Sequence, residues 1–287
     1  MMARSGSQSD SSFVPDAGLH ILHHDETYII MDAGGNAHND HLSFEWFAAG
    51  RTLVTDPGTG VYTADYATRN RYRSTRAHNT ILVDGEELCR IDPDRLFTLE
   101  DDVQPRVLHW SARGESTLLV AEHDGYRRLA HPVMHRRLWR LDHATGDLLT
   151  GDLVYGVSAQ GGGRHSLELN IQLPAPDATI EIGAAATVAR WGGGGFVIRP
   201  LDALGWTIAQ VAGEVSPSYG VCYRAPKLVY AWQGVLPARL LLCWRAFDGP
   251  AEPDAISRFA NSTKLPTECA AWMSEEREFL EAERGLR

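Results

Sequence analysis

Residues 42–56 read LSFEWFAAGRTLVTD. Across Ser43-Phe44-Glu45-Trp46-Phe47 polar and bulky apolar side chains alternate, the period of a strand with one face on a core and the other in water. The β-branched run Thr52 to Asp56 follows after Gly50, and Leu149-Thr150-Gly151-Asp152-Leu153 repeats the alternation far along the chain.

Working outward, short apolar or alternating runs recur, each closed by Gly, Pro, Asp or Asn. They are Leu19 to His23, Thr27 to Met31, Asn79 to Val83, Thr117 to His123, Arg136 to Leu141, Asp147 to Tyr155 and Leu167 to Leu173. Thr187 to Trp191, Phe196 to Arg199, Trp206 to Val211, Gly220 to Arg224, Leu228 to Gln233 and Arg239 to Arg245 continue the series. This punctuation predicts an all-β chain, a large antiparallel β-sandwich. One short C-terminal helix is expected after Pro266-Thr267, with Trp272, Met273, Phe279 and Leu280 on its apolar side. The Ser-rich residues 1–15 read as a disordered tail and 16–287 as one domain.

The 287 residues carry 44% hydrophobic and 22% charged side chains, an ordinary globular balance that excludes collagen, coiled coil and wholesale disorder. A net charge of −10 argues against general nucleic-acid binding, which would need phosphates neutralised. The four cysteines form no C-x-x-C pair, so neither a zinc ribbon nor a disulfide framework is signalled. No apolar run of about 18 residues is present, so no membrane span is expected. The glycine clusters Gly161 to Gly163 and Gly192 to Gly195 lack the Lys-Ser/Thr of a phosphate loop and read as hairpin turns.

Chemistry concentrates in residues 34–85, where His, Asp, Asn, Tyr and Arg crowd together. His38, Asp56 and His78 stand before or after predicted strands, 18 and 22 positions apart. Two hairpin-scale returns would bring them to one end of a sheet, the imidazole and carboxylate set that zinc accepts. The alternative reading is histidines bonded to loop backbone, with Asp56-Pro57-Gly58-Thr59 as a plain turn. Asp40 is a further ligand candidate, and His38-Asn39-Asp40 spells the H-x-D of an iron facial triad, a rival oxygenase reading that would use 2-oxoglutarate.

Between Asp56 and His78, Tyr62, Tyr66 and Tyr72 interleave with Arg69, Arg71, Arg73 and Arg76. Guanidinium groups pair with carboxylates and sulfates, so a basic island in an acidic protein suits an anionic sugar. Tyrosines beside cations suit proton transfer; more often they are packing with one wet end. His165 is a weaker candidate for the same cleft.

Ala37-His38-Asn39-Asp40, Leu42-Ser43-Phe44-Glu45, Asp56-Pro57-Gly58-Thr59, Arg73-Ser74-Thr75 and Ala77-His78-Asn79-Thr80 resemble, in residues, order and spacing, the signature of the heparinase II/III family of polysaccharide lyases. The resemblance implies a β-sandwich preceded by a helical toroid, with a zinc held by His38, Asp56 and His78. It implies β-elimination on a uronic-acid polysaccharide, with Arg69, Arg71, Arg73 or Arg76 on the substrate carboxylate and Tyr62 or Tyr66 moving protons. It further implies work in the periplasm or cell envelope, although residues 1–12 lack the apolar core of an export signal.

Two departures stand out. Many members carry a histidine two positions before the first ligand, where this chain has Asn36, which binds carboxylates or hydroxyls but does not shuttle protons near neutral pH. The toroid has no counterpart in the sequence, so a toroid domain or partner chain is expected to complete the cleft. The expectation is thus a zinc-containing lyase domain, with a non-catalytic carbohydrate-binding or envelope accessory module as the alternative.

Overall fold

The computed structural model describes residues 11–14, 18–32, 38–157, 163–250, 256–259 and 266–274. The first sheet is a five-stranded antiparallel meander of β1 (Ser12–Val14), β2 (Leu19–His24), β3 (Thr27–Asp32), β4 (Phe44–Ala48) and β5 (Arg51–Val54). A four-stranded sheet continues this layer in the order β15-β16-β11-β6, from β15 (Thr207–Ser218), β16 (Val221–Val235), β11 (Arg164–Gln172) and β6 (Ile81–Val83).

The opposing layer is eight-stranded, in the order β12-β13-β14-β17-β10-β9-β8-β7. Its strands are β7 (Arg106–Arg113), β8 (Ser116–Tyr126), β9 (Val133–Asp142), β10 (Leu148–Gly156), β12 (Thr179–Ile182), β13 (Thr187–Trp191), β14 (Gly194–Asp202) and β17 (Ala238–Asp248). Every strand pairing within the three sheets is antiparallel.

The period-2 pattern sorts the side chains between the layers. On β4, Phe44, Trp46 and Ala48 are buried while Glu45 and Phe47 are half-exposed. Phe44 and Trp46 meet Trp244 of β17 edge-on, with ring centroids 6.0 Å apart. On β17, Leu240, Leu242 and Trp244 enter this inter-sheet core, while Leu241 and Cys243 face outward into a second cluster. Phe259 and the helix α2 (Thr267–Trp272) cover that outer face through Cys269, Trp272 and Met273. The predicted helix therefore starts where expected; Phe279 and Leu280 lie outside the described residues.

Some elements depart from the sequence reading. Pairing reaches back to Ser12, three residues inside the stretch assigned to a tail. Strands β7 and β12 were not expected; both lie on the edges of the large sheet, where half-exposed positions blur the alternation. β16 runs unbroken through Pro226, whose carbonyl accepts from Leu173 N at 3.2 Å, so a residue read as a breaker sits inside a strand. The Gly192-Gly193 hairpin is as expected, with both residues at positive φ between paired Trp191 and Gly194.

A seven-residue helix, α1 (Tyr66–Tyr72), was not expected either. Asp65 caps it, its Oδ1 accepting from the Ala67 and Thr68 amides at 3.0 and 3.3 Å. Arg73 and a 3₁₀ turn, Thr75–Ala77, then lead the chain to His78.

Candidate metal centre

Two asparagines fix the segments that carry the site. Asn39 donates to the Glu87 carboxylate and the Cys89 carbonyl, both at 2.9 Å, and its Oδ1 accepts from Cys89 N at 2.8 Å. Its own amide donates to the Arg73 carbonyl at 3.0 Å. Glu87 also accepts from the Thr75 amide and hydroxyl at 2.6 and 2.8 Å, clamping the 3₁₀ turn. Asn79 donates to the carbonyls of Phe44 and Thr55, both at 2.9 Å, and accepts from Gln172 N at 2.7 Å. One buried side chain thereby ties the ends of β4, β5 and β11 together directly after His78.

These anchors bring His38, Asp40 and His78 together, with one ligand atom from each lying within 4.8 Å of the others. The two imidazole centroids are 5.3 Å apart. Asp56 joins the group through His78, its Oδ2 at 2.7 Å from Nδ1. Asp56 Oδ1 accepts from Gly58 N at 2.8 Å, and Gly58 has φ +81°, so the turn reading of Asp56 to Thr59 and its role at the site hold together. A Cβ at Gly58 would lie 2.1 Å from the Ser216 carbonyl, which closes the position to any other residue.

Of the ligand set expected from the sequence, both histidines are in the trio. Asp40 supplies its carboxylate, and Asp56 stands behind His78. His78 is fully buried, and its Nε2 has no hydrogen-bond partner. A buried imidazole with an orphaned nitrogen, grouped with a second imidazole and a carboxylate, fits a bound divalent metal, with Asp56 fixing the His78 ring through Nδ1. Burial, together with the neighbouring His78, pushes His38 down to about 4. Burial opposes charge on His78 as well, yet the Asp56 carboxylate raises it above the ordinary imidazole range.

The four arginines divide into two pairs. Arg69 and Arg73 are buried and spent on the fold. Arg69 donates to the Leu96 carbonyl at 3.1 Å and lies 2.6 Å from His38 Nε2. Arg73 donates to Asn70 Oδ1 and to the carbonyls of Thr98 and Asp92 at 2.8 to 2.9 Å. Arg71 and Arg76 are exposed and pair with Glu214 at 2.9 Å and Glu168 at 2.5 Å. The alternation follows from geometry: Arg69 and Arg73, four apart across α1 and its C-cap, share the inward face.

Tyr62 and Tyr66 are both about half exposed. The Tyr62 ring stacks on Tyr219 at 5.3 Å, and the Arg69 guanidinium lies 5.6 Å from its centroid. Tyr66 opens α1. Asn36 falls outside the described residues. His165 is not with the trio; it sits past the far end of β6, bonded to Asp84 at 2.7 Å. Sequence reasoning missed Glu87, Tyr219 and Lys227, which reach this region from distant strands and loops and carry no local signal.

Residues 6–229 match the heparinase II/III-like, C-terminal family profile. No curated protein sequence matches the chain. Among solved structures, the heparan sulfate lyase HepC from Pedobacter heparinus superposes with a TM-score of 0.69 at 21% identity, over 85% of this chain and 37% of that one. A heparinase III gene product gives 0.69 at 19% identity, over 83% and 36%, and a second heparinase III gives 0.68 at 16%, over 86% and 38%. The chain thus spans little more than a third of the length of these structures. With a profile match across most of its length and the sandwich those structures share, the chain belongs to the heparinase II/III-like C-terminal domain family.

Proposed function

We propose that this domain forms one wall of the cleft of a polysaccharide lyase acting by β-elimination on uronic-acid-containing chains, and that zinc is held by His38, Asp40 and His78. The observation that supports this most is the line from the trio through Arg69 to Tyr62, a buried cation joining a metal-type centre to an exposed phenol. Zinc bound there would hold the two imidazoles and the Asp40 carboxylate in a fixed frame.

Elimination needs the uronate carboxylate neutralised, the proton beside it removed, and the departing glycosidic oxygen protonated. As that proton leaves, its electron pair becomes the ring double bond and the carbon–oxygen link breaks. Tyr62 is the proposed proton carrier, because it lies against Arg69, whereas among the described residues no contact joins Tyr66 to the trio. Arg71 and Arg76 are the proposed carboxylate partners, since Arg69 and Arg73 are committed to backbone and to His38. Asn36 is assigned to substrate hydrogen bonding. A helical toroid, in the same gene product or in a partner, would supply the opposite wall, and a polymeric substrate of this kind puts the work in the periplasm or cell envelope.

The test is ultraviolet absorbance of the unsaturated product with heparan sulfate, heparin and alginate. A rise with any of them supports the lyase. Binding without a rise would make the domain a non-catalytic carbohydrate-binding module. Iron-dependent decarboxylation of 2-oxoglutarate would instead support the oxygenase reading of His38 and Asp40, which family membership disfavours.

A further inference from the structure

Beside the segments that carry His78 and Asp56 lies a cavity of about 370 Å³. Ser74, Arg76 and Ala77 form one wall, Pro57 contributes beside them, and β15 and β16 close it. Its volume is at the lower end of the roughly 300–1,000 Å³ of small-ligand pockets.

The lining is strongly cationic in a protein of net charge −10. Arg71, Arg76, Arg224 and Lys227 face a single lining carboxylate, Glu214. Arg224 is exposed and lies opposite Glu214 in the β15–β16 register, but that carboxylate is bonded to Arg71. The Arg71 and Arg76 side chains are 55% and 54% exposed, so their ion pairs are the exchangeable kind that contribute little.

Lys227 is the unusual member. It is buried, and its ammonium donates to the Arg76 carbonyl at 3.0 Å. Among the described residues no carboxylate comes within ion-pair distance of it. Burial, with Arg76 nearby, pushes it down to about 8 against the opposing pull of Glu168, a carboxylate already paired with Arg76. An ammonium has three donors, and a neutral carbonyl offsets little of the cost of removing its charge from water. An oxyanion in the cavity would complete its shell, and a terminal oxygen pair suits the guanidinium forks around it.

We propose that this cavity is a subsite for the sugar unit next to the reacting one, bearing an oxyanion, a sulfo group or a carboxylate, with Lys227 and Arg224 as its contacts beside the Arg71 and Arg76 that take the reacting uronate. The inference rests on the reading of the domain as polysaccharide-directed. It places the subsite next to the metal-type centre, because Pro57 and Ala77, the sequence neighbours of Asp56 and His78, line the cavity.

The experiment is calorimetric titration of the full gene product with a heparan-type sulfated tetrasaccharide, an unsulfated oligouronate, an uncharged oligosaccharide of equal length, and inorganic sulfate. Lys227→Met removes the buried ammonium; Arg224→Gln changes an exposed residue and keeps the test valid should the first variant not fold. The expected result is binding of at least one charged oligosaccharide, weakened roughly tenfold or more by either variant, the scale of one charge-assisted hydrogen bond. The charged oligosaccharide that binds identifies the group recognised. Affinity unchanged in the folded variants, equal binding of the uncharged oligosaccharide, or inorganic sulfate binding as tightly as the sugars would each overturn the proposal. The lyase reading fails separately: it falls if no unsaturated product forms, whatever the titrations show.

Discussion

Asp56 accepts from His78 Nδ1 at 2.7 Å and thereby leaves Nε2 of a fully buried imidazole with no partner. A carboxylate held on one nitrogen of a buried histidine whose neighbours are a second histidine and an aspartate is an arrangement that fixes a ring for ligation.

The first prediction follows from that division of labour. Zinc measured by elemental analysis should be about one per chain, and Asp40→Asn should abolish it. Asp56→Asn should weaken binding by about 10–100-fold without abolishing it, the usual effect of removing an outer partner. Loss of metal in Asp56→Asn with retention in Asp40→Asn would return the ligand set to His38, Asp56 and His78.

Zinc uptake should also be pH-dependent. His38, held down to about 4, is already neutral above that value, whereas the raised His78 must release a proton to ligate. Affinity should therefore rise with pH through and above the ordinary imidazole range, with roughly one proton released per zinc. Equal affinity at acid and mildly alkaline pH, read by chelator competition, would contradict this.

Elsewhere, His123 and His135 are fully buried beside each other, 3.1 Å between ring nitrogens, with His135 bonded to Asp152 at 2.7 Å. Burial holds both below the ordinary histidine value of 6.5, so between their folded values and 6.5 the unfolded chain binds more protons than the folded one. Stability from this pair is present above 6.5 and is lost as pH falls below it, by up to about 1.4 kcal/mol per pH unit per group. The melting temperature should fall with acidification from neutral pH, and His123→Gln should flatten that slope. An unchanged slope would count against the pair.

The arginine split can be read from stability alone. Arg73→Met removes hydrogen bonds to Asn70, Thr98 and Asp92 and should cost about 2–4 kcal/mol. Arg71→Gln and Arg76→Gln, breaking exposed pairs, should stay within about 1 kcal/mol. Denaturant unfolding that gave all three the same cost would show that the inward and outward faces of this segment are misassigned.

The sandwich was legible because Phe44–Ala48 carries its burial in strict alternation and Ala238–Asp248 holds a continuous apolar run, Leu240 to Trp244, buried on both faces. The site was legible in part. His38, Asp56 and His78 were visible as residue types before and after strands, with Asp40 as a further candidate; the structure groups the two histidines with Asp40 and bonds Asp56 to His78. Which arginines are exposed was not legible: α1 is only seven residues long and has no apolar stripe, so the phase that turns Arg69 and Arg73 inward was hidden. Only the Asp65 cap, followed by Thr68, hinted at it. Lys227 was hidden for another reason. Its place beside Arg76 depends on a contact 151 residues apart in sequence, inside a strand that Pro226 appeared to end.

The most direct measurement of the central claim is the initial rate of ultraviolet absorbance gain when the full gene product meets its best uronan, compared among the wild type, Tyr62→Phe and Tyr66→Phe. A proton carrier at Tyr62 predicts a loss of about 100-fold or more in Tyr62→Phe and near-normal turnover in Tyr66→Phe, with both variants as stable as the wild type. No absorbance gain with any uronan, or an undiminished rate in Tyr62→Phe, would contradict it.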